Sequence, residues 1–358
     1  MRHFFFLTLF CIGFTGFCQP MDLSTQLNAL EFSDDKIPSN LLSSRTGIIL
    51  RTSDELDRKS WKKHGKTFHG AFLQMGIDPV IYLFEQDLFA NKKVNEAYLK
   101  LIDNRDVENI IILSKSAGKF EMIIASGFNS QNVFKRKAAW RAADIDTTPL
   151  LYKLGIVVKR SDIPATNFLV LSDPDYVEDI SFFKGSHLAT YPGVLRRQKL
   201  GVALMDSIRI DNKLPDDEKQ ELLAYNRKVK QFNVSLEKAF AQYPYQWEMF
   251  SFKDNDYALA SGIQYVFQLV QTSGSGAKDL LNYPDHTKET QIISVTPGLI
   301  PGDVRLKRLP VETVVYKGYI YQARTDDVYV GKEWDADTDW QDAVRNFIFT
   351  LKRQFEEK

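Results

Sequence analysis

The chain reads as α/β in its first half and α+β in its second, two mixed-sheet domains with packed helices behind a cleaved signal peptide. Three observations predict this. Short apolar, β-branched runs alternate with stretches of helical period between residues 45 and 171. From 246 to 330 strand-like runs predominate, and a strongly amphipathic segment closes the chain. The length, 358 residues, exceeds one small domain and suits two.

The N-terminus opens with Met1-Arg2-His3, a charge-free apolar run over 4–17, and Gly16-Phe17-Cys18-Gln19-Pro20. A basic head, a short apolar run and small residues before a cut is the layout of a secretory signal peptide. The run is shorter than the roughly 20 apolar residues of a membrane-spanning helix, and no later stretch is long enough to span. Cleavage is expected between Cys18 and Gln19, giving a soluble periplasmic or secreted protein. Lipidation at Cys18 is disfavoured by bulky Phe17, where such sites carry small residues. Residues 19–44 form a polar leader.

The first domain is expected over 45–210. Thr46-Gly47-Ile48-Ile49-Leu50-Arg51-Thr52 reads as a buried strand, after which Ser53 is placed to cap a helix with Asp54 and Glu55 in its first turn. Trp61, Phe68, Phe72 and Met75 recur near helical spacing and Gly76 ends that segment. Residues 79–84 read as a strand and 91–103 as a helix, its apolar face carrying Val94, Ala97, Tyr98, Leu101 and Ile102. Residues 109–113 and 120–125 make a hairpin about Ser116-Ala117-Gly118-Lys119. Helical pieces are expected at 134–140 and 150–157, and a buried strand at 166–171, stopped by Asp173-Pro174-Asp175.

Polar and turn residues cluster at Asp211-Asn212-Lys213-Leu214-Pro215-Asp216-Asp217, which sets the start of the second domain, 211–358. A helix follows over 216–242. Strands are expected at 246–252, 263–270 and 290–295, and a hairpin at 311–323 with 328–330, in which Val315, Lys317, Tyr319 and Tyr321 alternate with their neighbours. At the C-terminus Thr338 and Gln341 have capping-box spacing, and Trp340, Val344, Phe347, Ile348, Leu351 and Phe355 share one helical face. No repeat of solenoid length is apparent.

Composition narrows the chemistry. Cys11 and Cys18, the only cysteines, leave with the signal, so the mature chain has neither disulfides nor thiol nucleophiles. Its charges nearly cancel and are interspersed, which provides no basic face for nucleic acid. His64 and His69, five residues apart, diverge by about 140° on a helix rather than stacking as metal ligands. Gly274-Ser275-Gly276-Ala277-Lys278 follows a strand, but Ala277 and Asp279 stand where a P-loop needs Gly and Ser or Thr. It reads as a flexible connector whose amides could meet an anion. Asp54, Asp87, Asp173 and Asp175 fall at the carboxyl ends of expected strands, where open α/β sheets place their ligand crevice and where Mg or Ca would find carboxylates. The simpler reading, caps and turns, is preferred. Tyrosines concentrate in the second domain, at 243, 245, 257, 265, 316, 319, 321 and 329, as binding surface or as half-buried strand positions.

Tyr243 onward to Phe250, Val314-Val315-Tyr316-Lys317-Gly318-Tyr319-Ile320, Lys332-Glu333-Trp334-Asp335 and Trp340-Gln341-Asp342-Ala343 resemble an uncharacterised family of exported proteins of Bacteroidetes-type bacteria, some of whose members carry the label NTPase. Over 108–128 the hairpin ending in Ser126-Gly127-Phe128 is similar to TPM domains of envelope proteins, a likeness confined to part of the first domain. Neither resemblance carries a catalytic residue across. The expectation is a binding or accessory module without a cofactor, its partner an envelope protein or a small ligand. The alternative is a metal-dependent phosphoester or nucleotide hydrolase built on the four strand-end aspartates.

Overall fold

A computed structural model describes residues 23, 27, 30–53, 55–126, 138–168, 170, 172–177, 183–210, 214–283, 288–300 and 302–356. The signal segment, its cleavage point and His286 lie outside these residues. The fold is α/β, built on two mixed sheets.

In the first half the strands are β1 (Glu31–Ser33), β2 (Arg45–Leu50), β3 (Asp78–Phe84), β4 (Val107–Ser116), β5 (Lys119–Ser126), β6 (Ala138–Asp144) and β7 (Asp175–Tyr176). The helices are α1 (Trp61–Gln74), the single turn α2 (Glu85–Leu88), α3 (Lys92–Asn104) and α4 (Thr147–Arg160). The sheet order is β1-β6-β5-β4-β2-β3-β7. β2, β3 and β4 are parallel, as their helical crossovers require, and β4-β5-β6 form an antiparallel meander. Trp61, Phe68 and Phe72 of α1 pack with Leu150 and Leu154 of α4 on one face of the sheet. Val94, Tyr98 and Ile102 of α3 cover the other. A parallel sheet buried on both faces accounts for the unbroken apolar runs at 47–50 and 110–113.

The second half contains β8 (His187–Leu188), β9 (Leu200–Ala203), α5 (Asp216–Phe240), β10 (Trp247–Phe250), α6 (Asn255–Ala260), β11 (Tyr265–Ser273), α7 (Gly274–Leu280), the ribbon β12 (Gln291–Pro297) with β13 (Val304–Pro310), β14 (Val314–Gln322), β15 (Val328–Tyr329) and α8 (Trp340–Glu356). Its sheet runs β10-β9-β11-β14-β15-β8. α5 and α8 share one face through Phe232, Leu236, Phe240, Phe347 and Leu351, while Ala258 of α6 lies on the other.

The two halves have the same topology. β1, β2, α1, β3, α3, β4, β5, β6 and α4 correspond in order to β8, β9, α5, β10, α6, β11, β14, β15 and α8. Every corresponding strand pair also has the same direction. The main differences are β7, added beside β3, and α7-β12-β13, inserted where the first half has a two-residue turn; the single turn α2 and a 3-10 turn at Gly193–Arg196 also lack counterparts. One continuous apolar cluster joins Ile49, Tyr98, Val266 and Tyr319 across the halves.

Four expectations are corrected. β8 and β9 pair with second-half strands, so the change of sheet falls between Tyr176 and His187 rather than near residue 211. Residues 138–140, expected as helix, open β6, where the buried Trp140 donates its indole N–H to Asp34 O. The described residues of 166–171 form no strand: the Asn167 side chain donates to Gly76 O at 3.0 Å and Phe168 is exposed. Ser53 caps no helix; its hydroxyl donates to Lys115 O and its backbone bridges Leu56, so α1 begins only at Trp61.

Candidate functional site: a crevice at the strand switch of the second half

Of the aspartates singled out in the first half, the three that the structure describes do not converge. Asp54 lies outside the described residues. The buried Asp87 sits in α2, just past the end of β3, where its carboxylate receives the guanidinium of Arg58, whose side chain is 12% exposed. The other arm of Arg58 reaches Asp279 at 3.2 Å. Burial alone would lower the Arg58 pKa, but the charges of Asp87 and Asp279 outweigh it and hold the guanidinium firmly protonated. Asp175 pairs with Arg105, and its backbone stands opposite Ile81 in the middle of β3. Asp173, two residues earlier, is therefore level with the amino end of β3, about 16 Å along the strand from its carboxyl end. Ligands of one divalent ion must all lie within about 2.6 Å of it, so Asp87 and Asp173 cannot share one. Among the described residues no three potential metal-ligating side chains gather about a point.

The glycine-rich segment is not a flexible connector. It forms α7, packed in the fold: a Cβ on Gly274 would meet Ile292 Cδ1 at 2.6 Å and Val311 O at 2.9 Å. Its first amides are committed, Gly274 N to Thr313 O, Ser275 N to Val311 O and Gly276 N to Ser273 Oγ. Lys278 is buried against Glu289 and Trp334. His69 is likewise satisfied inside, between Tyr82 Oη at 3.0 Å and Ser172 O at 3.1 Å. Of the eight tyrosines, Tyr243, Tyr265, Tyr316, Tyr319, Tyr321 and Tyr329 are buried and build core, Tyr245 is half-buried, and Tyr257 is exposed.

The open site lies elsewhere. After β9 the chain crosses through α5 to β10 on one side, then through α6 to β11 on the other. β9, β10 and β11 are parallel, so their crossovers diverge at the carboxyl end of β9. This topological switch is where doubly wound sheets leave a crevice. A cavity of about 840 Å³ occupies it, within the range of small-molecule sites. Its floor is Ala203, Phe267, Gln268 and Leu269, and α3 of the first half forms the opposite wall.

The sequence builds this wall through caps. Asn91 caps α3 by accepting Val94 N through Oδ1, which leaves Nδ2 to donate to Tyr319 Oη at 2.9 Å. Tyr319 in turn donates to Gln268 Oε1 at 2.6 Å, so three half-to-half polar groups are fixed in series. Residues 205–208, beyond β9, are held against α5 by two side-chain amides. Asn233 exchanges two hydrogen bonds with Met205 backbone at 3.0 Å, and Asn226 two with Ile208 at 2.8 Å. Asp206 is thereby aimed across the opening at Lys92, 2.8 Å away, and also accepts Ser251 Oγ at 2.8 Å.

A second cluster lines the rim. Lys93 Nζ lies 3.7 Å from the Tyr321 ring centroid and 3.7 Å from Asp326. Burial pulls the Lys93 ammonium below its ordinary value, with Asp326 opposing. Burial also raises Glu96, against the charges of Lys92 and Lys93. Asp326 is itself disfavoured as an anion by burial, yet hydrogen bonds from Tyr321 and Asn255 and the charge of Lys93 hold it below the usual range. The crevice thus offers fixed charges of both signs beside a floor that is apolar apart from Gln268, an arrangement suited to binding.

Sequence reasoning sought strand-end acids only in the first half. The same rule finds Asp206 three residues past β9 and Asp254 four past β10, but β9 was hidden in a stretch of mixed residues. No family model matches the chain, and no curated protein matches it.

Proposed function

We propose that the chain is an exported binding module that holds a small organic ligand, part apolar and part charged, in the crevice outside the carboxyl ends of β9 and β10. The observation that carries this reading is the coincidence of an open cavity with the strand switch. Export rests on the signal-like segment over 1–18. Among the described residues no helix is long and apolar enough to cross a membrane.

Thermal shift of residues 19–358 against amino acids, short peptides and nucleosides tests the reading. A true ligand at 100 times its Kd raises stability by about 2.7 kcal/mol. Calorimetry should then show at least about tenfold weaker binding in Gln268→Leu and in Lys93→Met, since each strips a fixed polar group from the cavity. No shift from any compound, or affinity indifferent to both substitutions, would count against it. Magnesium-dependent phosphate release from ATP, abolished by Asp173→Asn, would replace it with the hydrolase.

A further inference from the structure

The repeated topology makes each half a reference for the other, and one surface differs between them. In the first half the groove between α1 and edge strand β3 is filled. β7 adds to β3 in parallel, with Tyr176 opposite Tyr82 and Val177 N donating to Tyr82 O at 3.1 Å. The Tyr176 ring stacks on Tyr82 at 4.7 Å and lies 6.0 Å from Trp61. Room for it comes from Gly65 of α1, where a Cβ would stand 3.2 Å from Tyr176 Cε1. Burial pushes the Tyr176 hydroxyl up to about 12, as for a ring seated in a groove. In sequence the anchor is flanked by acids on both sides, Asp173-Pro174-Asp175-Tyr176-Val177-Glu178, although Glu178 lies outside the described residues. Arg105 takes Asp175, and Lys66 Nζ sits 5.7 Å from the ring centroid.

In the second half α5 corresponds to α1 and β10 to β3, and among the described residues β10 ends its sheet with no counterpart of β7. A groove of about 530 Å³ runs there, between a stripe of α5 and Met249 of β10. The stripe carries Leu223, Arg227, Lys230, Val234 and, at one end, Glu237; its two apolar members are 39% and 42% exposed, and its two cations outnumber the one carboxylate. Gln246 O and Phe250 O accept from Leu200 N and Leu204 N of the β9 segment. Alternation along a strand therefore turns the N–H and C=O of Trp247 and Met249 toward the open edge. An edge of this kind is a template for another strand.

We propose that the α5–β10 groove docks an extended acidic segment of another polypeptide, which joins β10 as a parallel strand and seats an aromatic side chain, as β7 does on β3. Main-chain bonds to Trp247 and Met249 fix the register. The aromatic ring covers Leu223, Val234 and Met249, and Arg227 and Lys230 face the acidic flanks. The groove adjoins the switch crevice, sharing Leu204 with it, but Met249, Arg227 and Lys230 line only the groove side, so the two kinds of binding can be tested apart.

The probe is a fluorescein-labelled peptide with the chain's own β7 sequence, Ser172-Asp173-Pro174-Asp175-Tyr176-Val177-Glu178, titrated with residues 19–358 and followed by anisotropy. Saturable binding with Kd below about 1 mM is expected. At least about tenfold weakening is expected when the peptide tyrosine is alanine, in Arg227→Glu/Lys230→Glu, and in Met249→Pro, which an edge strand tolerates but which lacks the outward amide. The peptide should also slow hydrogen exchange at the Trp247 and Met249 amides. Gln268→Leu should leave peptide binding unchanged even if it abolishes small-ligand binding. Absence of saturable binding, affinity indifferent to the α5 charge reversal, or unprotected Trp247 and Met249 amides in the bound state would each overturn the proposal. Concentration-dependent dimerisation that protects the same amides without peptide would overturn it in favour of a second copy of this chain.

Discussion

At the scale of single residues the least expected feature is an ion pair with no access to water. Lys317 Nζ lies 2.7 Å from Asp335 Oδ1, both side chains 0% exposed. The ammonium also donates to Gly318 O at 2.8 Å and Val330 O at 2.9 Å, and Asp335 Oδ2 accepts Thr350 Oγ1 at 2.6 Å. Such a pair survives because each charge has a partner and further hydrogen bonds; removing one member strands the other. Lys317→Met is predicted to lower stability by about 3–5 kcal/mol. Lys317→Met/Asp335→Leu should recover most of that, measured as the urea midpoint at unchanged slope. A double variant as unstable as the single one would show that shape, not charge, is what the site requires. The alternation of Val315, Lys317, Tyr319 and Tyr321 is legible in the sequence. What hides Lys317's burial is that β14 is covered on both faces, by Tyr319 and Tyr321 on one and Tyr316 and Ile320 on the other. A polar residue in such a strand looks like a solvent-facing one until its partner, eighteen positions away, is known.

At the scale of elements, legibility follows how local the cause is. Helices α1, α3, α5 and α8 are readable because their buried residues recur at helical spacing within the element itself. The strands that failed depend on distant partners. β9 has only four residues and becomes a strand because β10 and β11 pair with both its edges. Residues 166–168 have the composition of a strand, but no neighbouring strand pairs with them, and Asn167 ties the chain to the Gly76 turn instead. Caps follow the same logic on a finer scale. Thr338 has capping-box spacing, yet its hydroxyl turns back to Asp337 Oδ1. Asp339 caps α8, accepting Gln341 N at 2.8 Å and Asp342 N at 3.1 Å. Asp339→Ala is therefore predicted to cost about 1 kcal/mol in the denaturant midpoint, and Thr338→Ala much less. Equal losses would reassign the cap.

At the scale of the whole molecule, what the sequence conceals is the duplication and the site that depends on it. The Ala117-Gly118 turn of the first hairpin is replaced in the second by α7 and the β12–β13 ribbon, and the corresponding edge strands differ in length and composition, so no fixed period is left to detect. The candidate crevice is hidden for a related reason: its floor belongs to one half and its wall to α3 of the other. That shared wall implies more than a binding site. The apolar cluster containing α3 and α6 is continuous between the sheets. Gln271 N donates to Ala90 O at 2.8 Å, Asn91 to Tyr319, and Arg58 spans Asp87 and Asp279. Neither half can unfold without exposing the other's apolar face and leaving these buried polar groups unpaired, each loss costing several times thermal energy. The two topological units are therefore predicted to unfold as one: calorimetric and van't Hoff enthalpies should agree, with a single transition by every probe. Expressed alone, residues 19–180 should bind a hydrophobic dye and lack fixed side-chain packing, because Val94, Tyr98 and Ile102 pack in the shared cluster. Two resolved transitions, or a cooperatively folded isolated half, would mean that each sheet carries a sufficient core of its own and that the crevice lies between independent domains.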